Sequence, residues 1–315
     1  MEFHHVPIML NEVIENLKIK PDGIYVDGTM GGAGHSYEIV KALSKEGLLI
    51  GIDRDQDALN ASHERLKDFD NVRYIWGKHE NIKDILLGMN INKVDGILLD
   101  LGLSSYQIDE ANRGFSYTKN APLDMRMDRQ QSLSAKEVVN TYSKEDLSNI
   151  FFKYGEENFS KRIADKILKH REEKEISTTF ELADIVREAV PNNKNALDSI
   201  KRIFQAIRIE VNGEIRDLKQ TVKDAIEMLN EGGRLCIITF HSLEDRAVKE
   251  AMIEMHGKCT CPKDFPVCVC GAVSYGKIIT KKPIIPSEDE QKENSRSKSS
   301  KLRVFERTLT QKIKE

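Results

Sequence analysis

Asp27-Gly28-Thr29-Met30-Gly31-Gly32-Ala33-Gly34-His35-Ser36 follows directly on the apolar run Ile24-Tyr25-Val26. A little further on, a second apolar run, Leu48-Leu49-Ile50-Gly51-Ile52, ends on Asp53. Strand, glycine turn, helix, strand and terminal acid describe a nucleotide-type pocket at the carboxyl edge of a parallel sheet. The glycines let the backbone turn sharply and approach a ligand closely. An acid at the tip of the second strand is placed to accept hydrogen bonds from ribose hydroxyls.

Three ligands compete for such a turn. A phosphate-cradling loop needs Gly-x-x-x-x-Gly-Lys-Ser/Thr. Here Thr29 stands where the first glycine belongs and His35 where the lysine belongs, so the cation for the β- and γ-phosphates is missing. The dinucleotide fingerprint needs Gly-x-Gly-x-x-Gly, but Tyr37 occupies the third glycine position after Gly32 and Gly34. Asp27, at the start of the turn, also repels a pyrophosphate settling nearby. The same acid suits a cationic ligand, such as the sulfonium and α-amino groups of S-adenosylmethionine. The bland alternative is a structural turn with no ligand.

Outward from this turn, strand-like stretches at 24–27, 48–52, 72–76 and 94–99 alternate with helix-like ones at 33–45, 55–67 and 79–88. Such alternation implies βαβ units and a parallel sheet covered on both faces. Asp100 ends the fourth strand and lines the same crevice. The next core strand is Gly233–Phe240, roughly 130 residues later, too far for one crossover helix. The intervening pattern is helical at Ser134–Asn140, Ser143–Tyr154, Asn158–Arg171 and Thr178–Ala189. Ser134-x-x-Glu137 and Thr178-x-x-Glu181 are capping-box candidates.

These signals predict an inserted helical domain over 109–205. The sheet domain is split into 1–108 and 206–315, and the chain returns to it through helices near 199–211 and 213–230. A long insertion beside an active-site loop is a natural place for substrate recognition. Leu243–Met255 reads as a covering helix. Ala272–Thr280 and Leu302–Leu309 read as an antiparallel pair at the sheet edge. The charged, serine-rich stretch Ser287–Ser300 reads as mobile.

Several constellations carry chemistry. Asp100-Leu101-Gly102-Leu103-Ser104-Ser105-Tyr106-Gln107 follows the fourth strand, where methyltransferases of amino groups place acceptors for the target NH2. An exocyclic amine is a poor nucleophile because its lone pair is delocalised into the ring. A carboxylate accepting its hydrogen bonds favours pyramidal nitrogen and drains positive charge. Asp100 is the acceptor on offer; its alternatives are a helix cap and an acid that only orients the ligand. Thr239-Phe240-His241-Ser242 ends the late strand. Adjacent His241 and Ser242 on extended chain face opposite ways, and no Gly-x-Ser-x-Gly elbow exists, so pocket lining or a Ser242 helix cap is expected rather than hydrolysis.

Cys259, Cys261, Cys268 and Cys270 supply four thiols that can close a structural tetrahedral zinc site; reduced thiols or redox chemistry are the alternatives. Phe115 and Tyr117 suit a clamp on a flipped base, or core packing. The loop Pro122–Asp128 suits a substrate seat, with Arg126 as an internal ion-pair partner the alternative.

Taken in order, these motifs closely resemble the RsmH (MraW) family of bacterial 16S rRNA cytosine-N4 methyltransferases. The resemblance runs nearly end to end. It rests on His5–Leu10, Asp27–Thr29 through Gly34–Ser36, and Asp100–Gly102 through Gln107. It continues with Arg113–Ser116, Pro122–Asp128, Thr239–Arg246 and Lys282-Pro283. It implies a class I S-adenosylmethionine-dependent methyltransferase: an α/β fold with a Rossmann-like, mostly parallel sheet, helices on both faces and a helical insertion. It implies cofactor contacts at Ala33, Gly34, His35, Asp53, His79, Asp100 and Gln107. The implied substrate is a decoding-centre cytosine of 16S rRNA in the small (30S) ribosomal subunit. The Pro-Pro-aromatic sequence that DNA amino-methyltransferases carry after this acid is absent, because Leu101-Gly102 follow Asp100. The rival readings are methylation of DNA or protein and a non-catalytic ribosome-assembly factor.

Composition sets the remaining bounds. With 39% hydrophobic and 31% charged residues, the chain reads as an ordinary soluble protein, without the long apolar run a membrane span needs. The start, Met1-Glu2-Phe3-His4-His5, lacks the features of a secretory signal, and the clustered thiols fit a reducing cytoplasm. A net charge of −3 argues against indiscriminate grip on nucleic acid, so any RNA contact must come from local patches. Two are visible, Ser160–Lys174 and the basic segment after His256; solvated faces are the alternative for each. Whether the chain forms a homodimer is left open.

Overall fold

The computed structural model describes residues 7–104, 107–108, 110–191, 193–257 and 272–312. In chain order the first elements are α1 (Leu10–Leu17), β1 (Ile24–Asp27), α2 (Gly34–Ala42), β2 (Leu48–Asp53), α3 (Gln56–Arg65), β3 (Val72–Trp76), α4 (Ile82–Gly88) and β4 (Val94–Asp100). A helical block follows: α5 (Ala135–Thr141), α6 (Lys144–Gly155), α7 (Ser160–Glu173), α8 (Thr179–Ala189) and α9 (Asn193–Asn212). The chain ends with α10 (Leu218–Met228), β5 (Leu229–Thr239), α11 (Ser242–His256), β6 (Val273–Ile278), α12 (Glu288–Glu293) and β7 (Lys301–Lys312). Two compact units result, Met1–Gly102 with Ile215–Glu315, and Leu103–Glu214. A boundary at 205 would cut through α9, whose apolar face, with Ile203, Phe204, Ile207 and Val211, stays in the core of the second unit.

In the first unit a seven-stranded sheet has the order β3-β2-β1-β4-β5-β7-β6. Strands β1 to β5 pair in parallel. Strand β7 runs antiparallel to both β5 and β6. The two late strands thus pair as expected, with β7 inserted ahead of β6 so that the earlier strand is outermost. The chain steps outward from β1 through β2 to β3, then restarts on the other side of β1 at β4. That reversal opens a crevice at the carboxyl ends of β1 and β4, where ligands settle in open α/β sheets.

Alternate residues of each strand feed opposite cores, as a doubly covered sheet requires. Val26, Ile97, Leu99 and Ile237 pack with α4, α10 and α11 through Leu86, Val222, Ala225, Val248 and Ala251. Tyr25, Leu98, Cys236 and Ile238 pack with α1, α2 and α3 through Val13, Leu17, Ile39, Val40 and Leu59. Cys236 is a buried thiol, pushed up to about 12 by burial, so it acts as a small core hydrophobe. This is the α/β class with helices on both faces expected from the alternation.

The second unit has its own core, built on Val138, Leu147, Phe151, Ile163, Ile167, Leu182, Val186 and Ile203. Both expected capping boxes are formed, at Ser134 with Glu137 and at Thr178 with Glu181. Two pairs of alternatives left by the sequence are decided here in favour of packing and internal bracing. Phe115 is 8% exposed and Tyr117 meets Phe204 edge-on at 5.7 Å, so both pack into this core and do not form a clamp. Arg126 donates to Asp124 at 2.7 and 2.9 Å and to the carbonyl oxygens of Arg129 and Gln131, so it braces its own loop.

The stretch 287–300 also departs from expectation. It forms α12 and a 3-10 turn at Ser295–Ser299. Ser287 caps the helix, Glu290 accepts from the backbone N–H of Met9 at 2.8 Å, and Ser297 and Ser300 are buried. Local capping and one long-range hydrogen bond order a segment whose composition alone argues for mobility.

Phe151 is fully buried in the core of the helical unit. Phe151→Ala is expected to destabilise that unit by about 3–5 kcal/mol, read by urea denaturation. A loss below about 1 kcal/mol would show that the core collapses around the cavity.

Candidate active site

The site is built on the turn after β1. Asp27 is buried, with 1% exposure; it accepts from the Thr29 N–H at 3.1 Å and from the Ser36 hydroxyl at 2.7 Å. Its carboxylate thus ties the entry of the turn to the first turn of α2. Gly31 adopts φ 52°, the left-handed region open to glycine, and Ala33 adopts φ 56° there without that freedom. An Ala held in this region is strained, which the surrounding bonds must enforce. Those bonds are visible: Met30 N–H to the Ile52 carbonyl at 3.0 Å, Ala33 N–H to the Met30 carbonyl at 2.8 Å, and Ser62 Oγ to the Gly31 carbonyl at 2.7 Å.

Asp53 closes the turn from the β2 side. Its two oxygens accept from the N–H groups of Gly31 and Asp55, each at 2.8 Å. Burial raises its carboxyl above the usual range while those two bonds oppose the rise. Each oxygen retains a second acceptor site. His79 lies against the turn: a Cβ added at Gly28 would stand 3.3 Å from the His79 Cβ. Burial presses His79 down to about 4, so it is a neutral imidazole at physiological pH. Glu80 beside it is held by the buried Arg54 at 2.7 and 2.8 Å.

Asp100 ends β4 across the crevice from Asp27. Its N–H donates to the Thr29 hydroxyl at 2.6 Å, which fixes the strand tip to the turn. Its Oδ2 stands 3.8 Å from His35 Nδ1, while its Oδ1 is buried with no hydrogen-bond partner among the described residues. Burial, then repulsion from Asp27 and Glu244, pushes the Asp100 carboxyl up to about 7. Burial likewise pushes Asp27 up to about 6 against the hydrogen bonds from Ser36 and Thr29. Among the described residues no Lys or Arg forms an ion pair with either acid. A buried carboxylate on Asp27 and a partly buried one on Asp100, with one Asp100 oxygen lacking a donor and no Lys or Arg partner among the described residues, make a site that gains from a positively charged ligand.

The loop after β4 needs Gly102. At φ 152° its added Cβ would meet the Phe240 ring at 2.8 Å, so only glycine lets the chain pass over that side chain. At the end of β5, His241 rather than Ser242 caps α11: its Nδ1 accepts from the Glu244 N–H at 3.5 Å. The buried Glu244 carboxylate returns the contact to the N–H groups of Phe240 and His241 at 2.7 and 3.3 Å. Histidine rarely plays this part, so the sequence offered Ser242 as the cap instead. Glu244 was not singled out from sequence; the Ser/Thr-x-x-Glu pattern that would mark it has His in first place.

The structure therefore gathers Ala33, Gly34, His35, Asp53, His79 and Asp100 around one turn. Gln107 belongs to the other unit, where it is buried and accepts from the Ser104 N–H at 3.1 Å. Cys259, Cys261, Cys268 and Cys270 lie outside the described residues.

A buried acid whose folded pKa is raised binds more protons folded than unfolded, so its contribution to stability is present at low pH and is lost as pH rises through the folded value. For Asp100 the loss spans the interval from its ordinary value, 3.8, to about 7. Asp100→Asn, which carries no charge, should flatten this slope and be more stable relative to the parent at pH 8 than at pH 5 in urea melts. Equal differences at the two pH values would show that Asp100 is ordinary.

Comparison with known proteins meets this geometry. The MraW methylase family matches residues 2–308. Ribosomal RNA small subunit methyltransferase H 2 of Agathobacter rectalis is 55% identical over 311 residues, covering 98% of this chain and 99% of its own. Ribosomal RNA small subunit methyltransferase H of Clostridium botulinum is 55% identical over 305 residues, 96% of this chain and 99% of its own. The protein of that name from Clostridioides difficile is 53% identical over 310 residues, 98% of this chain and all of its own. Near-complete coverage of both partners at this identity extends the match across the sheet and the helical insertion alike. The chain belongs to the MraW methylase family.

Proposed function

We propose that this protein methylates the N4 amino group of a cytosine in small-subunit (16S) ribosomal RNA, with S-adenosylmethionine as donor. The observation that carries the reading is the pair of acids at the tips of β1 and β4, Asp27 buried and Asp100 partly buried with an Oδ1 that no described residue binds, beside a turn unsuited to phosphate. Family membership supports methyl transfer, and the names of the relatives support ribosomal RNA as substrate. When bound, the cofactor supplies an electrophilic methyl group on a positively charged sulfur.

Each residue then has a part. Asp53 would accept from ribose hydroxyls with the acceptor sites left after Gly31 and Asp55. The turn through Ala33, Gly34 and His35 would hold the methionine end, with His79 and Gln107 completing the cofactor contacts. Asp100 would accept hydrogen bonds from the exocyclic amine, keeping its lone pair on nitrogen and drawing off positive charge as the N–C bond forms.

RNA recognition falls to the unit Leu103–Glu214. On its helix α7, Lys166 and His170 pair with Glu188, and Lys174 pairs with Glu181. Arg171 is spent on the Val139 carbonyl oxygen, which leaves exposed Lys161, Arg162 and Lys169 as the cations for phosphates. Among the described residues no helix is long and apolar enough to cross a membrane, in keeping with work on a ribosomal subunit in the cytoplasm.

Small subunits lacking the modification, incubated with labelled cofactor and digested to nucleosides, should yield labelled N4-methylcytidine. Label in guanosine or in protein would overturn the substrate. Asp53→Ala should weaken cofactor binding about tenfold or more, since charge-assisted hydrogen bonds of this kind contribute about 1.5–3 kcal/mol. Calorimetric titration measures it, and unchanged affinity would remove Asp53 from the ribose site.

A further inference from the structure

We infer that Asp100 and His35 act as one proton-holding pair that tells the charged methyl donor from its neutral demethylated product. This rests on the cofactor reading above and adds the means by which the site senses the charge on sulfur.

The geometry begins with His35, 6% exposed at the start of α2. Its Nε2 lies 3.0 Å from the Ile8 carbonyl oxygen, which can only accept, so Nε2 carries a hydrogen. In the neutral ring Nδ1 is then an acceptor, and it stands 3.8 Å from Asp100 Oδ2. At that separation the two groups are in ion-pair range without a hydrogen bond, so an ionised Asp100 faces a ring whose Nδ1 can take a proton and become a cation. The groups around Asp100 come from every side: Asp27 from β1, Glu244 from α11 and His35 from α2. The two acids favour the proton; the imidazole is its only described basic neighbour.

The unpartnered Asp100 Oδ1 is the element that makes the pair responsive. With no donor to Oδ1 among the described residues, and with Asp27 and Glu244 nearby, the carboxylate holds a proton near neutrality. A sulfonium in the crevice brings a positive charge that favours the ionised form, and the proton leaves. The thioether product carries no such charge, so the proton returns. No bond other than the O–H of Asp100 is made or broken in this exchange, and water or buffer takes the proton. Binding of the donor is thus coupled to proton release, binding of the product much less so. Because the donor prefers ionised Asp100, its affinity rises with pH through the neutral range. If the sulfonium lowers the pKa by one unit from 7, donor affinity is about fivefold weaker at pH 6 than at pH 8.

The test is calorimetric titration of the full chain with S-adenosylmethionine and with S-adenosylhomocysteine at pH 7, in buffers of different ionisation enthalpy. The expected result is a measurable fraction of a proton released with the sulfonium ligand and clearly less with the thioether. Asp100→Asn should abolish the difference, and His35→Asn should shift the pH at which release is greatest. Equal proton counts for the two ligands in the parent protein overturn the inference whether or not the variants fold. Failure of either ligand to bind would instead remove the cofactor reading itself, so the two failures are told apart.

Discussion

A carboxylate almost out of reach of water lies beneath the turn that follows β1, and the site is arranged around it. Asp27 binds the Thr29 N–H and the Ser36 hydroxyl, so the turn cannot open without stranding a buried acid. Thr29 in turn accepts from the backbone of Asp100, and Gly31 donates to Asp53. One buried acid therefore sets the positions of two others on neighbouring strands. It also occupies the approach to the N-terminus of α2, where a phosphate would otherwise find free N–H groups. The same choice of residue shapes the loop and selects the sign of the ligand's charge.

That selection has an energetic side. A carboxylate in a low-dielectric site costs free energy unless it is paired, and pairing by a fixed arginine would abolish any gain from a cationic ligand. Here the nearby arginine, Arg54, is committed to Glu80, and the acids at β1 and β4 stay near the point of losing their protons. Stability is given up locally so that binding energy can be recovered when a charge of opposite sign arrives. The strained Ala33 belongs to the same economy of the turn.

Much of this was legible in the chain. Near-continuous apolar runs ending on Asp27, Asp53 and Asp100 mark the strands and their tips, because a doubly covered sheet needs apolar runs and a ligand needs polar ends. The capping boxes at Ser134 and Thr178 mark helices because their chemistry is local. What escaped reading depends on distant partners. Glu290 is anchored by Met9, which lies 281 residues away, so the order of 287–300 has no local signature. Phe115 and Tyr117 look alike whether they face a base or a core, and only the packing of α9 decides. The insertion ends at Glu214 rather than 205 because the apolar face of α9 continues to Val211, a limit set by the core it joins. His241 as a cap fell outside the usual residue set.

The insertion between β4 and β5 also bears on the order in which the molecule assembles. Gly96 pairs with Arg234 and Ile97 with Leu235, so the centre of the sheet can be completed only by chain that lies far along the sequence. Searching for such a contact with a flexible loop is slow, and the loop entropy must be met before any pairing repays it. A helical unit with its own core and its own caps shortens that loop once it has condensed. The sequence separation of β4 and β5 thus makes their pairing the costliest contact of the sheet in loop entropy, and a segment that condenses on its own core reduces the flexible chain that this pairing must close.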